Sequence, residues 1–377
     1  PGVSVTLQDI NKAAVSDSSG IVIIQNLPPR QYHFRFTCTG YRSRESIFAI
    51  PLKDTVQIKL ELSAVLLQDV IVSTTRLGQR IKNAAVNIEV IGREDIEEGT
   101  AMSPANIREL LSELSGTQLQ QTSAVSGNVA IRLQGLDGRY TQLLKDGFPL
   151  YGGFSGSLSV LQTPPLDLQQ VEIIKGAGSA LYGGDAIAGI INLVSKTPNT
   201  IRHVDAILNQ NSKGGTDFSS FYSRRNRRTG ITLLSTASRQ QPFDVNDDSF
   251  TDLPRVRQLA INPTLFLYPN DSTIIRLGVN IATESRVGGD MQAVRHSANS
   301  LHPYTEQSHT DRDYYQFSYT SKLHNHHTLT LKNTAGYFYR SLQKPGQSFS
   351  GTQWSSFTEA SCLIPHKTHQ DVIGANF

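Results

Sequence analysis

Carboxylates, imidazoles and glycines at short spacing are the residues of this 377-residue chain whose chemistry can be judged first. Asp244, Asn246, Asp248 and Asp252 put oxygen atoms at positions 1, 3, 5 and 9 of a calcium-type loop, the hard donors that Ca2+ takes. Ser249 stands where an EF-hand has its turn glycine and Arg255 at its last ligand position, so a helical EF-hand is excluded; the rival is a solvated acidic loop. His324, His326 and His327 cluster at a short turn, where metal capture competes with plain solvation. Gly176, Gly178, Gly183 and Gly184 could cradle a phosphate, but Leu181 stands where G-x-G-x-x-G needs its third glycine and strand-forming residues follow. Tight turns and close packing are the expected roles of these glycines. No H-E-x-x-H occurs, and Gly153-Phe154-Ser155-Gly156-Ser157 displaces the last glycine of the nucleophile elbow, so the chain is not expected to be an enzyme.

The charge balance narrows the partners. Lys+Arg 35 against Asp+Glu 32 leaves +3, which gives no reason to expect nucleic acid. Arg224, Arg225, Arg227 and Arg228 crowd one short turn, where anionic lipid headgroups or solvent are the fitting neighbours. Hydrophobic residues make up 38%, and Gly 29 and Pro 16 beside one Trp read as a β-rich chain with many turns. No run approaches the ~20 apolar residues of a membrane-spanning helix. A membrane β-barrel stays open, since its lipid face appears only at every second residue. Cys38 and Cys362, far apart and in no C-x-x-C, are expected to stay unpaired. Pro1 opens the chain with neither an initiator Met nor an apolar leader.

Three regions must position these residues. In 1–62, alternation at Val3, Val5 and Leu7, a turn at Asp17–Gly20, Ile21 and Ile23, a second turn at Leu27–Tyr32, a strand from His33 to Thr39 and another from Val56 to Leu62 predict a small β-sandwich. In 76–197, Ile107, Leu110, Leu111 and Leu114 have helical spacing behind Ser103-Pro104. Strand candidates at 86–91, 129–133, 142–145, 171–174 and 190–194 make this region α+β. From 198 to 377, about nine alternating segments of 9–12 residues follow, with short links and long polar ones at 240–255, 286–310 and 341–355. Short turns on one side and long loops on the other suit an outer-membrane barrel.

Particular strings then carry a resemblance. Residues 1–62, with their D-x-x-G turn, Leu27-Pro28-Pro29-Arg30-Gln31-Tyr32 corner and Gly40-Tyr41, resemble a carboxypeptidase regulatory-like domain that lacks its first strand. Ile131–Gly138, Asp146-Gly147-Phe148-Pro149, Val171–Gly176 and above all Ser179–Lys196 resemble the plug of TonB-dependent outer-membrane receptors. The resemblance implies a mainly β protein: a sandwich, an α+β plug and the N-terminal strands of a large antiparallel transmembrane barrel, of 22 strands in the complete family. Nine strands cannot close round such a plug, so the chain is expected to stop in mid-barrel.

The same resemblance assigns roles. Asp69, Val70, Ile71, Val72 and Ser73, in the 63–75 linker, resemble the TonB box, which adds as a strand to a TonB-type energising protein; an ordinary linker strand is the alternative. Arg132, Glu172 and Lys175 occupy positions where the family carries ionic residues against the barrel wall, and are expected to latch plug to barrel. Gln169 and Gln170 replace a common Glu-Arg pair, and Lys175 replaces an Arg without offering its bidentate fork, so a looser latch is expected. Gln120, Gln121, Ser123, Tyr151, Gly152, Gly153 and Phe154 lie in the plug's apical loops, which either face a ligand or merely fill space under the extracellular lid. The acidic loop resembles that of the cobalamin-receptor branch, where calcium orders the outer surface; no other cofactor is implied. The function implied is active uptake through the outer membrane, with sandwich and TonB box in the periplasm. A small metal chelate is the expected ligand: ferric siderophore first, cobalamin second, haem third. A plug reading YGGDAIAGI speaks against a glycan importer, and a β-rich surface adhesin would have no reason to carry the plug strings.

Overall fold

The computed structural model describes residues 3–7, 10, 12–17, 19–25, 27–38, 44–52, 55–60, 71–72, 79–80, 88–112, 114–121, 123, 129–150, 162–176, 186–323, 326–366 and 369–377. Contacts divide the chain into two units, Pro1–Ile71 and Val72–Phe377.

In the first unit, β1 (Ser4–Leu7), β2 (Lys12–Val15), β3 (Gln31–Thr37) and β4 (Arg44–Ala49) form an antiparallel sheet in the order β2-β1-β3-β4. Alternation drives it: Val5, Leu7, Tyr32, Phe34 and Phe36 share one buried face. Asp17 Oδ1 accepts the N–H groups of Ser19 and Ile21, both at 2.9 Å, which builds the predicted turn. The stretches around Ile21–Ile23 and 55–60 depart from expectation. They join no strand ladder; Val22, Ile24, Ile58 and Leu60 instead pack over the sheet. The fourth strand forms at Arg44–Ala49, whose polar start hides its alternation from the sequence. There Arg35 pairs with Glu45 at 2.8 Å across strands β3 and β4, and Phe48 meets Phe34 edge-on at 5.5 Å.

β5 (Ile71–Val72) falls at the boundary of the two units and, with β6 (Gln79–Arg80), forms a two-stranded sheet. There follow β7 (Ile88–Ile91), α1 (Arg93–Met102), α2 (Arg108–Ser112), β8 (Thr117–Gln121), β9 (Val129–Leu133), β10 (Thr141–Lys145), β11 (Phe148–Pro149), β12 (Leu168–Lys175) and β13 (Gly189–Ser195). Five strands make a mixed sheet, β11-β10-β13-β12-β7, with β10 and β13 parallel; β8 and β9 form a separate pair. Ile107, Leu111, Ile131, Leu133, Leu168, Val171, Ile173, Ile191 and Leu193 are fully buried between sheet and helices. The predicted helix appears as α2, burying Leu110 and Leu111. α1 went unread because among its apolar residues Ile96 alone anchors it, beside Gly99 and Thr100. Its sequence signal was the N-terminal one: Asp95 accepts the Gly92 N–H at 3.3 Å, and Glu94 and Asp95 stand in the first turn.

Nine antiparallel strands follow in chain order: β14 (His203–Gln210), β15 (Gly215–Arg225), β16 (Thr229–Gln240), β17 (Arg255–Asn270), β18 (Thr273–Gly289), β19 (Thr305–Lys322), β20 (Thr328–Lys344), β21 (Gln347–Pro365) and β22 (Gln370–Asn376). The sheet is open, with β14 and β22 as its edges. Leu265, Leu277, Val279, Ile281 and Tyr315 point outward and are exposed, while Ala260, Ala282 and Gln316 face inward and are buried. The strands of β17 to β21 run to 16–19 residues, longer than the alternation showed. The predicted loop 341–355 is therefore mostly strand, closed by a tight turn at Pro345-Gly346. At these strand ends both faces are exposed, so hydropathy stops alternating while the hydrogen-bond ladder continues. The other two long loops persist as 241–254 and 290–304, the latter holding α3 (Met291–Arg295) with Asp290 as its N-cap.

Candidate functional site

The site is the seam between the plug sheet and the barrel wall. Asp146 and Gly147 join β10 to β11 with positive φ at both residues, 55° and 75°, as a two-residue hairpin turn of the I′ kind requires. That turn presents the Asp146 carboxylate to Ser195, whose N–H and hydroxyl donate to it at 2.8 and 2.9 Å, and to Arg276 of β18, with which it forms an ion pair. Beside it, Lys145 Nζ lies 2.7 Å from Asp167 Oδ2, both side chains less than a tenth exposed. Tyr314 of β19 packs against the plug core at the same seam. Burial drives the Asp146 carboxyl upward, but the Arg276 guanidinium outweighs it by charge and hydrogen bond, with Lys145 and the Ser195 N–H adding, and the pKa lies below the ordinary aspartate value. Burial likewise works against the Lys145 ammonium, yet Asp167, followed by Tyr314 and Asp146, raises its pKa.

The three residues expected to form the latch make the following contacts. Glu172 is fully buried and accepts from Gln170 Nε2 at 2.7 Å within β12 and from Asn192 Nδ2 at 3.0 Å, which ties β12 to β13. Lys175 pairs with Glu89, tying β12 to β7. Arg132 is half-buried on β9, opposite Gln118. An ion pair from plug to wall also comes from the β10–β11 turn, between Asp146 and Arg276. Asp-Gly between two strands was the available signal, read in the sequence only as part of a family string.

Toward the rim of the long loops, the inner wall carries Glu284 and Arg286 on β18, Glu306 and Arg312 on β19, and Arg340 and Lys344 on β20. Arg286 pairs with Glu284 at 2.9 Å and Lys344 with Glu306 at 3.1 Å. Nε and Nη2 of Arg312, a residue 8% exposed, have no hydrogen-bond partner among the described residues; its guanidinium sits 5.3 Å over the Phe338 ring. Four cationic groups against two carboxylates leave this patch net positive. The plug reaches it: Ser123 Oγ donates to Glu306 Oε1 at 2.9 Å and Gln162 Nε2 to Glu284 Oε1 at 3.4 Å.

Of the predicted apical residues, Ser123 therefore meets the wall, and Gln120 and Gln121 end β8 exposed, Gln121 donating to the Ser123 carbonyl at 3.1 Å. Tyr151, Gly152, Gly153 and Phe154 lie outside the described residues, as do Asp69, Val70 and Ser73 of the TonB-box-like segment; Ile71 and Val72 form β5. The acidic loop spends its oxygens on its own amides. Asp244 accepts from Ser249 N at 2.8 Å, Asn246 from Asp248 N at 3.2 Å, Asp248 from Phe250 N at 2.8 Å and Asp252 from Val245 N at 2.7 Å. Asp244, Asp248 and Asp252 do not bring one oxygen each within 4.8 Å of the others. Asn246 and Asp248 each cap the N–H two residues on in Asx-type turns, while Asp244 and Asp252 cap N–H groups across the loop. His324 is outside the described residues; His326 is exposed and His327 half-buried.

A mixed-sheet domain ionically tied to the inside of a meandering wall of antiparallel strands has the architecture of a plugged barrel, and its plug region is similar to that of the TonB-dependent receptors. Residues 80–190 match the family model described as TonB-dependent Receptor Plug Domain. Among curated relatives, the vitamin B12 transporter BtuB of Vibrio cholerae is 29% identical over 129 residues, 34% of this chain and 21% of its own length. BtuB of Photobacterium profundum is 27% identical over 198 residues, 48% of this chain and 30% of its own. Among solved structures, the siderophore receptor PirA of Acinetobacter baumannii shares the fold at TM-score 0.60 and 16% identity, covering 78% of this chain and 48% of its own. The ferric citrate transporter FecA does so at TM-score 0.61 and 14% identity, covering 79% and 47%. The chain thus spans less than a third of these curated relatives and about half of these structures.

Proposed function

We propose that the protein takes up an anionic ferric chelate of the siderophore class through the outer membrane. The observation that carries this reading is the net-positive patch of Arg286, Arg312, Arg340 and Lys344 against Glu284 and Glu306, met by Ser123 and Gln162 of the plug. A cationic lumen raises the local concentration of an anionic chelate and supplies guanidinium forks for its oxygen atoms. Cobalamin, which the curated relatives transport by name, is the second reading and rests on their sequence similarity over the plug. Work is done by an energising protein pulling the segment around Asp69–Ser73 from the periplasm, where the first unit also resides, and no covalent step occurs on the ligand. The test is binding of a ferric tris-catecholate and of cyanocobalamin to the full-length protein in detergent. The reading requires the ferric chelate to bind, and Arg340→Gln with Lys344→Gln to weaken it about tenfold. Cyanocobalamin binding with no ferric chelate binding overturns it.

A further inference from the structure

Five of the ten histidines stand at two turns, His324, His326 and His327 between β19 and β20, and His366 and His369 between β21 and β22. Both turns lie on the rim of short links, and the register Thr328↔Leu363 sets them side by side. The second turn is a built one: Pro365 faces Gln370 across the ladder and His366 N–H donates to His369 O at 2.8 Å. Its two imidazoles stack with centroids 4.4 Å apart and planes 15° from parallel. Both Nε2 atoms face Oδ2 of Asp371, at 3.0 and 3.9 Å, and one ligand atom from each of the three side chains lies within 4.8 Å of the others.

We propose that His366, His369 and Asp371 form a binding site for a divalent transition ion of the zinc class, with three protein ligands and water in the open position. Ligand atoms around tetrahedral zinc, at Zn–N distances of about 2.0–2.1 Å, stand roughly 3.3 Å apart. The observed 3.0 and 3.9 Å bracket that spacing, so small side-chain rotations on a fixed backbone admit the ion. Two imidazoles and a carboxylate, with no thiolate, suit Zn2+ or Ni2+ over Cu(I), and the nitrogen ligands disfavour Mg2+ and Ca2+. All three side chains are more than 40% solvent-exposed, so the ion enters directly and alanine substitutions leave the fold intact.

Calorimetric titration of ZnCl2 into the full-length protein in detergent tests this, with MgCl2 as control and heat-modifiable migration as the folding check on every variant. One zinc per chain should bind with a dissociation constant below about 100 μM, and His369→Ala should weaken it about tenfold or more. His326→Ala with His327→Ala should leave it within about threefold. No binding, equal response to MgCl2, or loss of binding in the His326/His327 variant with retention in His366→Ala/His369→Ala overturns the proposal.

Discussion

Asp146→Asn isolates the seam between plug and wall. The substitution keeps an acceptor for the Ser195 N–H but removes the anion facing Arg276, whose side chain is 15% exposed and whose Nε has no hydrogen-bond partner among the described residues. Removing one partner of a buried pair costs about 3–5 kcal/mol, because the other charge is left uncompensated. The two side chains keep 15% and 10% exposure, so the lower end applies, and about 3 kcal/mol corresponds to roughly a hundredfold in local opening. Hydrogen exchange read by mass spectrometry resolves it: peptides over β10, β11 and β13 should exchange about a hundredfold faster, while β20 stays unchanged. Arg276→Met alone should act similarly, and the double variant should cost less than the sum of the two. A change below about threefold, additive single effects, or equal acceleration in β20 would refute the ionic-seam argument. The pH sign follows from the lowered pKa of Asp146 in the fold. Its contribution is fully present above the unfolded aspartate value of about 3.9 and is lost as pH falls through the lowered folded value. At neutral pH the seam is therefore closed, and strongly acidic conditions should loosen the plug before the barrel sheet.

Three further outcomes follow from packing and loop geometry. Gly189 has φ of 147°, and an added Cβ would stand 2.2 Å from the Ile174 carbonyl oxygen, so Gly189→Ala should cost about 3 kcal/mol and make the plug protease-sensitive with heat-modifiable migration retained. At Gly99 the added atom would meet Leu110 Cδ2 at 2.4 Å, a side chain that can shift, and Gly99→Ala should cost about 1–2 kcal/mol in thermal unfolding. Asp248→Ala should remove the cap on the Phe250 N–H, about 1 kcal/mol of loop stability, with the same exchange rates in calcium and in chelator; calcium-dependent protection of 244–252 would overturn the self-capped reading.

Sequence alone determined the parts that rest on local pattern. Alternating residues specify which face of β15 to β18 is buried, and Leu110 and Leu111 specify α2, because strand and helix periods are properties of consecutive residues. The Ser179–Lys196 string identified the plug, since a long run of matched residues carries identity without geometry. Only the tertiary structure decided which polar groups meet. Glu172 and Asn192 are twenty residues apart and Asp146 and Arg276 a hundred and thirty, and register and turn type, not residue type, brought each pair together. The same holds for the full length of β20 and β21, whose polar ends stay paired through backbone hydrogen bonds that side chains do not report. It holds too for His366, His369 and Asp371, three unremarkable positions that become a cluster only when the hairpin closes. Backbone pairing and long-range contact are set by the whole chain's burial of its apolar faces, which no short window of sequence contains.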